Sequence, residues 1–327
     1  MTLRKFVACG AAMLWCVAAV FAAADGHAQD YPARVVKIIV PFPAGGTADV
    51  MPRILAEWLS RKWGRSVIIE NHTGAGGNIG AEIVAKSDPD GYTLLASPPP
   101  PLVINQNLYP HLEFDPRQFV PIVVMARVPN ALVVNPDKIA ASNIKEFIAY
   151  TQANPGKVTD ATQGNGTTSQ LTSEMFQMMA HVKLQNVPYR GSAPALNDLV
   201  AGSVDCMFDN LGVSLQLVKA GRLKLLAVAS AQRMASLSEV PAIAESLPGF
   251  ESVTWYAVVA PPHTPAAIVD KVNGGMNEAL GDPEVQKRLA ELSAEPIGGT
   301  PQQAATYLKV EAERWKNVIT AAHVTLD

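Results

Sequence analysis

The chain has 327 residues, a formal net charge of -3 and a hydrophobic fraction of 48%. Charges of both signs are mixed along it without any run of Lys and Arg, which argues against nucleic acids and anionic membrane surfaces as partners. The length is sufficient for two domains of ordinary size. Beyond the N-terminus, no apolar stretch reaches the roughly 18 residues that indicate a membrane span.

The N-terminal segment has the pattern of a secretory signal peptide. Arg4 and Lys5 form a short positive region, an apolar run follows over residues 11–24, and the small residues Gly26 and Ala28 offer a cleavage site. The alternative is a transmembrane anchor, but the uncharged stretch is alanine-rich and only just reaches the length that a bilayer requires. We therefore predict that residues 1–28 are a signal peptide and that the mature protein is exported.

Cysteine use agrees with export to a bacterial periplasm. Cys9 and Cys16 would leave with the signal peptide, so the mature chain keeps only Cys206. A single cysteine can form neither an intrachain disulfide nor a cysteine-based metal site. Cys206 lies in an apolar stretch, where a buried thiol is the expected state. The mature chain must therefore be stabilised by its hydrophobic core.

Short runs of β-branched residues alternate with longer segments of helical periodicity. The predicted strands are 35–40, 67–70, 93–96, 158–162, 185–188, 204–209 and 223–229, and the helices between them are 51–63, 79–86, 143–154, 169–179 and 193–201. Strands separated by helices in this way are typical of βαβ units on a parallel sheet.

Two β-rich segments, 122–134 and 253–260, interrupt this alternation and are predicted to cross between domains. After the second one we expect only helices, at 267–280, 283–292 and 301–319. The fold class is therefore α/β, with two lobes and a cleft between them. Residues 29–128 and 255–327 form the predicted first lobe, and residues 129–254 form the second. Ligand sites in such sheets lie beyond the carboxyl ends of the strands.

Two glycine-rich loops, 43–47 and 74–80, each join a predicted strand to a predicted helix. Glycines allow backbone amides to point at one place, and a helix start adds partial positive charge, so both loops suit an anion without any charged side chain. The second loop has the spacing G-x-G-x-x-x-G and lacks the acidic residue of a dinucleotide site, so we predict no nucleotide cofactor. Asp49 is expected to complement the helix dipole rather than to contact ligand.

The predicted second lobe has two further strand-to-helix loops, at 163–169 and 188–194, and both are rich in hydroxyl or amide groups. Asp209 ends a predicted strand where the cleft would lie. Two interpretations of Asp209 remain open: it is a turn former or helix cap, or it accepts a hydrogen bond from an amino, hydroxyl or amide group of a ligand.

Catalytic and metal-binding motifs are absent from the sequence. It contains no G-x-S-x-G, H-E-x-x-H, C-x-x-C or P-loop motif, and its histidines are scattered singly. We therefore predict no catalytic residue, no metal site and no cofactor. A cleft with polar donors but no nucleophile–base pair indicates binding without turnover.

The loops and their neighbours resemble the Bug family of extracytoplasmic solute receptors, the substrate-binding components of tripartite tricarboxylate transporters. The resemblance is carried by PFPAGGTADVMPR (41–53) and GAGGNIGAEIVAKSDPDGYTLL (74–95), and it continues through 114–122, 154–171, 187–210, 239–251 and 298–303. These segments cover almost the whole mature chain in family order. The resemblance implies a type II periplasmic-binding-protein fold and a carboxylate ligand held by the first-lobe loops, partly through ordered water.

By match to these motifs, the resemblance implies a set of ligand-binding residues in both lobes. In the first lobe they are Phe42, Ala44, Gly46, Thr47 and Asn78, to which we add Gly45 of the same loop and Ser97 at a strand end that approaches the pocket. In the second lobe they are Gly166, Thr167, Thr168 and Asp209. Two stretches depart from the family pattern. The segment 167–170 replaces the serine and histidine that the family often has, and four prolines, 98–101, follow Ser97 and remove backbone donors.

The sequence therefore predicts a monomeric periplasmic receptor that closes over a small carboxylate and is recognised by the membrane subunits of a tripartite tricarboxylate transporter. Two alternatives remain open. One is a sensory receptor that feeds a signalling system. The other is a secreted enzyme acting on small organic acids, with Asp49 or Asp209 as its base.

Overall fold

The computed structural model describes residues 31–322, 324 and 325, so the predicted signal peptide lies outside the described residues. In this part of the chain the strands are β1 (Val36–Val40), β2 (Val67–Asn71), β3 (Thr93–Ser97), β4 (Val120–Val134), β5 (Thr159–Thr162), β6 (Gln185–Pro188), β7 (Cys206–Asn210), β8 (Lys224–Val228), β9 (Val253–Ala260) and β10 (Glu295–Gly298). The α-helices are α1 (Thr47–Trp63), α2 (Asn78–Ala85), α3 (Ile144–Ala153), α4 (Thr168–Ala180), α5 (Ser192–Ala201), α6 (Leu211–Lys219), α7 (Ala266–Gly281), α8 (Pro283–Glu291) and α9 (Pro301–Ala322). Over the same residues, no helix combines the length and the apolar character that a membrane span requires.

The first sheet has the strand order β2-β1-β3-β9-β4-β10. Strands β1, β2 and β3 are parallel, and β9 runs antiparallel to both β3 and β4. β1 and β3 are nearly continuous apolar runs because helices cover both faces of a sheet of this kind. Met51, Leu55 and Leu59 of α1 recur at four-residue spacing and are all fully buried against this core. The helix ends at Gly64, which has the left-handed conformation that glycine adopts easily.

The second sheet repeats the arrangement of the first with the order β6-β5-β7-β4-β8. Strands β5, β6 and β7 are parallel, and β4 runs antiparallel to β7 and β8. Its core contains four fully buried aromatic rings, those of Phe147, Phe176, Phe208 and Phe250. The centroids of the other three rings lie 5.2 to 6.4 Å from the centroid of Phe176. Each lobe therefore has its own sheet, and the core of the first lobe continues into the second through Leu211 and Leu215 of α6.

The long strand β4 belongs to both sheets. Its first part pairs with β9 from Val120 to Pro129, and its last residues pair with β7 from Asn130 to Val134. The predicted crossing segment 122–134 thus lies within one strand. β9 is the second crossing segment, and its bounds agree with the predicted 253–260.

The expectation of helices alone after residue 260 was wrong, because β10 pairs antiparallel with β4. Glu295 lies opposite Arg127, and their side chains form an ion pair of 2.8 Å. β10 has only four residues, three of them exposed, and it includes Pro296 and Gly298. Such a short, exposed strand has no hydrophobic period for a sequence pattern to reveal.

Asp160 on β5 is a fully buried carboxyl group in the second lobe. Its Oδ1 accepts a hydrogen bond from the buried thiol of Cys206 at 3.6 Å, and its Oδ2 has no hydrogen-bond partner among the described residues. Burial raises the pKa of Asp160 to about 7. The folded state therefore holds this proton more tightly than the unfolded chain, in which the pKa of an aspartate is about 4.

The pH dependence of stability follows from this difference. Between about pH 4 and pH 7 the folded state binds more protons than the unfolded state, so the contribution of Asp160 to stability falls as the pH rises. We expect Asp160→Asn to remove this fall and to raise the melting temperature at pH 8, with a small effect at pH 4. Thermal denaturation followed by circular dichroism checks this. The control is Asp137→Asn, a change at an exposed aspartate of the same lobe. Equal losses of stability with rising pH in the wild type and Asp160→Asn would contradict the assignment.

Candidate functional site

Loops that follow the parallel strands of the two sheets face one another. The loop 41–46 leads from β1 to α1, and the loops 163–167 and 189–191 lead from β5 to α4 and from β6 to α5. A methyl group placed on Gly191 would lie 2.9 Å from Cδ of Pro43, and one placed on Gly46 would lie 3.5 Å from Cβ of Ser192. The two lobes are therefore in direct contact across the cleft.

The more enclosed part of the cleft is an inner cavity of about 20 Å³. A space of this size holds about one water molecule. Thr47, the first residue of α1, is 2% exposed, and its hydroxyl has no hydrogen-bond partner among the described residues. The residues that line the inner cavity come from both lobes and from β9: Phe42, Pro43, Gly46, Thr47, Ala48, Pro98, Gln163, Gly191, Ser192, Asn210 and Tyr256.

A larger outer chamber of about 530 Å³ opens beside the inner cavity. Phe42, Pro43 and Gln163 contribute to both walls, so the two spaces are parts of one cleft. A chamber of this volume is in the range of small-molecule sites. Its other lining residues are Pro41, Thr73, Gly74, Ala75, Gly76, Gly77, Ile79, Tyr109, Gly164, Asn165, Thr167, Pro188, Tyr189 and Arg190.

The carboxylate of Asp49 fixes the shape of the first glycine loop. Its Oδ2 accepts a hydrogen bond from the amide of Gly45 at 3.0 Å, and its Oδ1 accepts bonds from Arg53 and Asn71 at 2.9 Å. Burial opposes ionisation of Asp49, but these hydrogen bonds outweigh it and lower its pKa. Asp49 therefore has a structural role. The amide of Gly45 is already engaged, and Ala44 and Gly45 are both exposed.

The second glycine loop packs closely against the first. Gly76 and Gly77 have positive φ angles of 61° and 94°, and a methyl group on Gly77 would lie 3.3 Å from the ring of Phe42. Asn78 accepts a hydrogen bond of 2.6 Å from the buried side chain of Asn105, which also donates to the carbonyl of Gly76. Asn78 thus helps to hold this loop, and its side-chain oxygen already accepts a hydrogen bond from Asn105.

In the second lobe, Gly166 and Thr167 shape the start of α4. The amide of Gly166 donates to Gln170, and the Thr167 hydroxyl caps the helix by accepting from the amide of Gln170. Thr168 is buried, and its hydroxyl lies 2.6 Å from that of Thr254 on β9. Thr167 lines the outer chamber, whereas Gly166 and Thr168 lie outside the lining of both spaces.

Asp209 is fully buried behind two residues of the inner cavity. Its Oδ1 accepts hydrogen bonds from Gln163 at 2.7 Å and from Ser192 at 2.6 Å, while its Oδ2 has no partner among the described residues. Burial raises the pKa of Asp209 to about 6. The two hydrogen bonds to Asp209 hold the side chains of Gln163 and Ser192 in place in the second-lobe wall.

These hydrogen bonds decide which polar groups the second-lobe wall can present. The side-chain amide of Gln163 donates one hydrogen bond to Asp209 and one to Asn210 at 2.8 Å. The Ser192 hydroxyl donates to Asp209. The Gln163 carbonyl oxygen and the Ser192 oxygen then remain as acceptors. On the opposite wall, the start of α1 offers N–H groups without helical partners and the Thr47 hydroxyl. Donors thus face acceptors across the inner cavity.

A buried polar network lies beneath the cavity, where β4 and β9 cross between the lobes. Asn210 donates to Asn130 and to Thr254, both at 2.7 Å, and the hydroxyl of Tyr256 donates to Asn210 at 3.1 Å. Asn130 donates in turn to Thr172 and Ser252. This network was not predicted. The sequence signal for it is weak, because Asn130 is one of two polar residues, with Arg127, in the β-rich segment 122–134.

The structure places the predicted site residues in three groups. Phe42, Gly46, Thr47 and Thr167 line the cleft; Ala44 and Gly45 are exposed in the loop beside it; and Ser97, Asn78, Gly166, Thr168 and Asp209 lie outside the lining. Ser97 is buried and donates to the carbonyl of Pro98. The lining residues that were not singled out by the sequence are chiefly Gln163, Ser192, Asn210, Tyr256, Tyr109 and Arg190.

Comparison with known proteins identifies the family to which this fold belongs. The family model described as tripartite tricarboxylate transporter family receptor matches residues 51–324. The chain belongs to this family. Protein BugT of Bordetella pertussis is 37% identical over 300 residues, which cover 91% of this chain and 92% of BugT. Proteins of the family are periplasmic substrate-binding receptors.

Solved structures confirm the predicted fold. The Rhodopseudomonas palustris protein Rpa4515 with adipate is 38% identical with a TM-score of 0.88, over 90% of this chain and 99% of that one. MatC of the same organism, with bound malate, is 30% identical with a TM-score of 0.82, over 88% of this chain and 100% of that one. The structure of periplasmic binding protein BugD is 35% identical with a TM-score of 0.86, over 90% and 99%.

The polar network allows a test of what holds the lobes in register. Thr254→Val keeps the shape of the side chain but removes the hydroxyl that Asn210 and Thr168 contact. We expect a loss of about 1 to 3 kcal/mol in the free energy of unfolding, because buried polar groups lose a partner. Urea denaturation measures it. The exposed Thr320→Val is the control and should change stability by less than about 0.5 kcal/mol. An equally small effect of Thr254→Val would show that the network does not stabilise the fold.

Proposed function

We propose that this protein is a periplasmic receptor that binds a small organic acid between its lobes and delivers it to the membrane subunits of a tripartite tricarboxylate transporter. The observation that carries the proposal is the buried Thr47 hydroxyl, which has no partner among the described residues and lies in the wall of the inner cavity at the start of α1. Family membership supports the transport role, and relatives with adipate and malate support the ligand class.

The start of α1 suits one carboxylate oxygen or both. The first N–H groups of a helix have no acceptor within the helix, and the helix dipole favours negative charge at this end. Thr47 adds a hydroxyl donor at the same place. Such a site holds an anion through dipoles and hydrogen bonds alone, as expected for a ligand that must later be released.

The number of available donors is sufficient for a micromolar receptor. Micromolar affinity corresponds to about 8 kcal/mol of binding free energy. Hydrogen bonds to a charged group contribute roughly 1.5 to 3 kcal/mol each, so three or four of them supply most of this amount. Contacts with the second lobe then stabilise the closed state to the extent that the ligand binds it more tightly than the open one.

Binding without chemical turnover is supported by the two candidate bases. The carboxylate of Asp49 is held by Arg53, Asn71 and the Gly45 amide, which lower its pKa. Asp209 is hydrogen bonded to Gln163 and Ser192 and lies behind them. Neither carboxylate is part of the cavity lining, so neither is placed to take a proton from a bound acid.

A thermal-shift screen of the purified mature protein tests the proposed function directly. The panel contains adipate, malate, hexanoate, amino acids and aromatic acids, with glucose and ribose as neutral compounds. We expect at least one carboxylate to raise the melting temperature and the neutral sugars to leave it unchanged, because ligands that bind only the folded state stabilise it. A rise with sugars and with no acid would overturn the proposal.

Thr47→Val tests the residue on which the proposal depends. The Thr47 hydroxyl has no hydrogen bond of good geometry to lose and only a weak interaction with the Tyr256 hydroxyl, so we expect the melting temperature without ligand to change little. Affinity for the best acid of the screen should fall about tenfold, which corresponds to about 1.4 kcal/mol. Isothermal titration calorimetry measures the affinity. Thr254→Val is the matched control, since its hydroxyl is engaged and its removal should lower stability. Unchanged affinity in Thr47→Val would remove Thr47 from the site.

A further inference from the structure

The outer chamber has an asymmetric distribution of charge. Among the described residues that line it, Arg190 alone carries a formal charge, and the others are glycine, proline, apolar or neutral polar residues. The lining also includes the second glycine loop, in which Gly74, Gly76 and Gly77 contribute no side chain. Any ionised group that enters this chamber therefore meets one cation and no anion.

The guanidinium of Arg190 has no protein partner among the described residues. Eight of the eleven arginines in the described part of the chain form ion pairs with carboxylates, and Arg65 donates to two backbone carbonyls. Arg190 and Arg222 form neither kind of contact, and only Arg190 lies in the wall of the cleft. Its side chain is exposed, so its charge is available to a ligand.

The backbone that carries Arg190 is nevertheless fixed. The amide of Tyr189 donates to the carbonyl of Thr162 at 2.9 Å, and the Tyr189 hydroxyl donates to Asp198 at 2.7 Å. On the other side, Gly191 packs against Pro43 of the first lobe. The guanidinium is therefore free to bind a ligand, while its backbone stays in one position. A planar guanidinium can hold a carboxylate through two parallel hydrogen bonds.

We propose that Arg190 is a specificity-determining residue that receives a second anionic group of the ligand, so that the receptor prefers dicarboxylates to monocarboxylates and rejects acids with a distal ammonium group. This inference rests on the proposed function, in which a first carboxylate lies at the start of α1. The inner cavity and the outer chamber share Phe42 and Gln163, so a ligand anchored at Thr47 extends past Phe42 toward Arg190.

Three acids of equal chain length test the inference, because they differ only at the far end. Adipate ends in a second carboxylate, hexanoate in a methyl group and 6-aminohexanoate in an ammonium group. Isothermal titration calorimetry at pH 8 and low salt should give the affinity order adipate, hexanoate, 6-aminohexanoate for the wild type, since exposed charges are little screened at low ionic strength. Arg190→Gln should weaken adipate binding about tenfold, leave hexanoate within about twofold and strengthen 6-aminohexanoate.

Two control variants separate charge from other effects. Arg222→Gln removes an arginine that also lacks an ion pair but lies outside the cleft, and it should leave all three affinities unchanged. Arg190→Lys keeps the charge without the planar fork, and it should retain the preference for adipate over 6-aminohexanoate. Since Arg190 has no protein partner among the described residues, Arg190→Gln should melt at the wild-type temperature.

The outcomes distinguish this inference from the proposed function. If the acids bind the wild type and Arg190→Gln shifts all three affinities equally or not at all, the role of Arg190 is overturned and the receptor function stands. If none of the acids of the screen and none of these probes binds the wild-type protein, the proposed function fails, and the inference fails with it. The inference is supported only if Arg190→Gln weakens the binding of adipate and strengthens the binding of 6-aminohexanoate.

Discussion

The structure depends on one strand that is hydrogen bonded in both sheets. β4 pairs with β9 in the first lobe and with β7 and β8 in the second, so the backbone of each lobe continues into the other without an intervening loop. At the point of crossing, Asn130 connects to Asn210, Thr172 and Ser252 through buried hydrogen bonds. Polar groups buried in this way require their partners in a definite geometry, because each lost hydrogen bond leaves an unsatisfied group. The crossing therefore fixes how the carboxyl ends of the two sets of parallel strands face each other, and the cleft follows from it.

Within the cleft, most polar groups are used by the loops themselves. Asp49 binds the amide of Gly45, Gln170 binds the amide of Gly166, and Asn105 binds Asn78. These internal bonds hold glycine-rich loops in one shape and leave few groups for a ligand. The Thr47 hydroxyl and the start of α1 remain on one side, and the acceptor oxygens of Gln163 and Ser192 remain on the other. Loops held in one shape favour tighter binding, because little ordering is required when the ligand arrives.

The sequence predicted the alternation of strands and helices well, because buried parallel strands and amphipathic helices both leave a clear hydrophobic period. It missed β10, whose four residues are mostly exposed, and the network around Asn130, whose members are separated by up to about 120 residues in sequence. For the candidate site, four of the residues predicted from strand-to-helix loops, Phe42, Gly46, Thr47 and Thr167, line the cleft. A motif match cannot reveal which groups a loop has already used. That is why the engagement of Gly45, Gly166 and Asn78 needed the structure.

The position of Asp209 explains how a buried carboxylate can accompany a site for anions. A negative charge in the wall would oppose an ionised ligand, but Gln163 and Ser192 stand between Asp209 and the inner cavity and direct their hydrogens toward it. Burial also raises its pKa to about 6, which reflects the low polarity of its surroundings. Because the hydrogens of both side chains are taken, the second-lobe wall presents acceptors, and in the binding mode that we propose an ionised carboxylate contacts the donors at Thr47. In that binding mode the polarity of the inner cavity orients an acid with its carboxylate toward the first lobe, and the remainder of the molecule extends along the cleft.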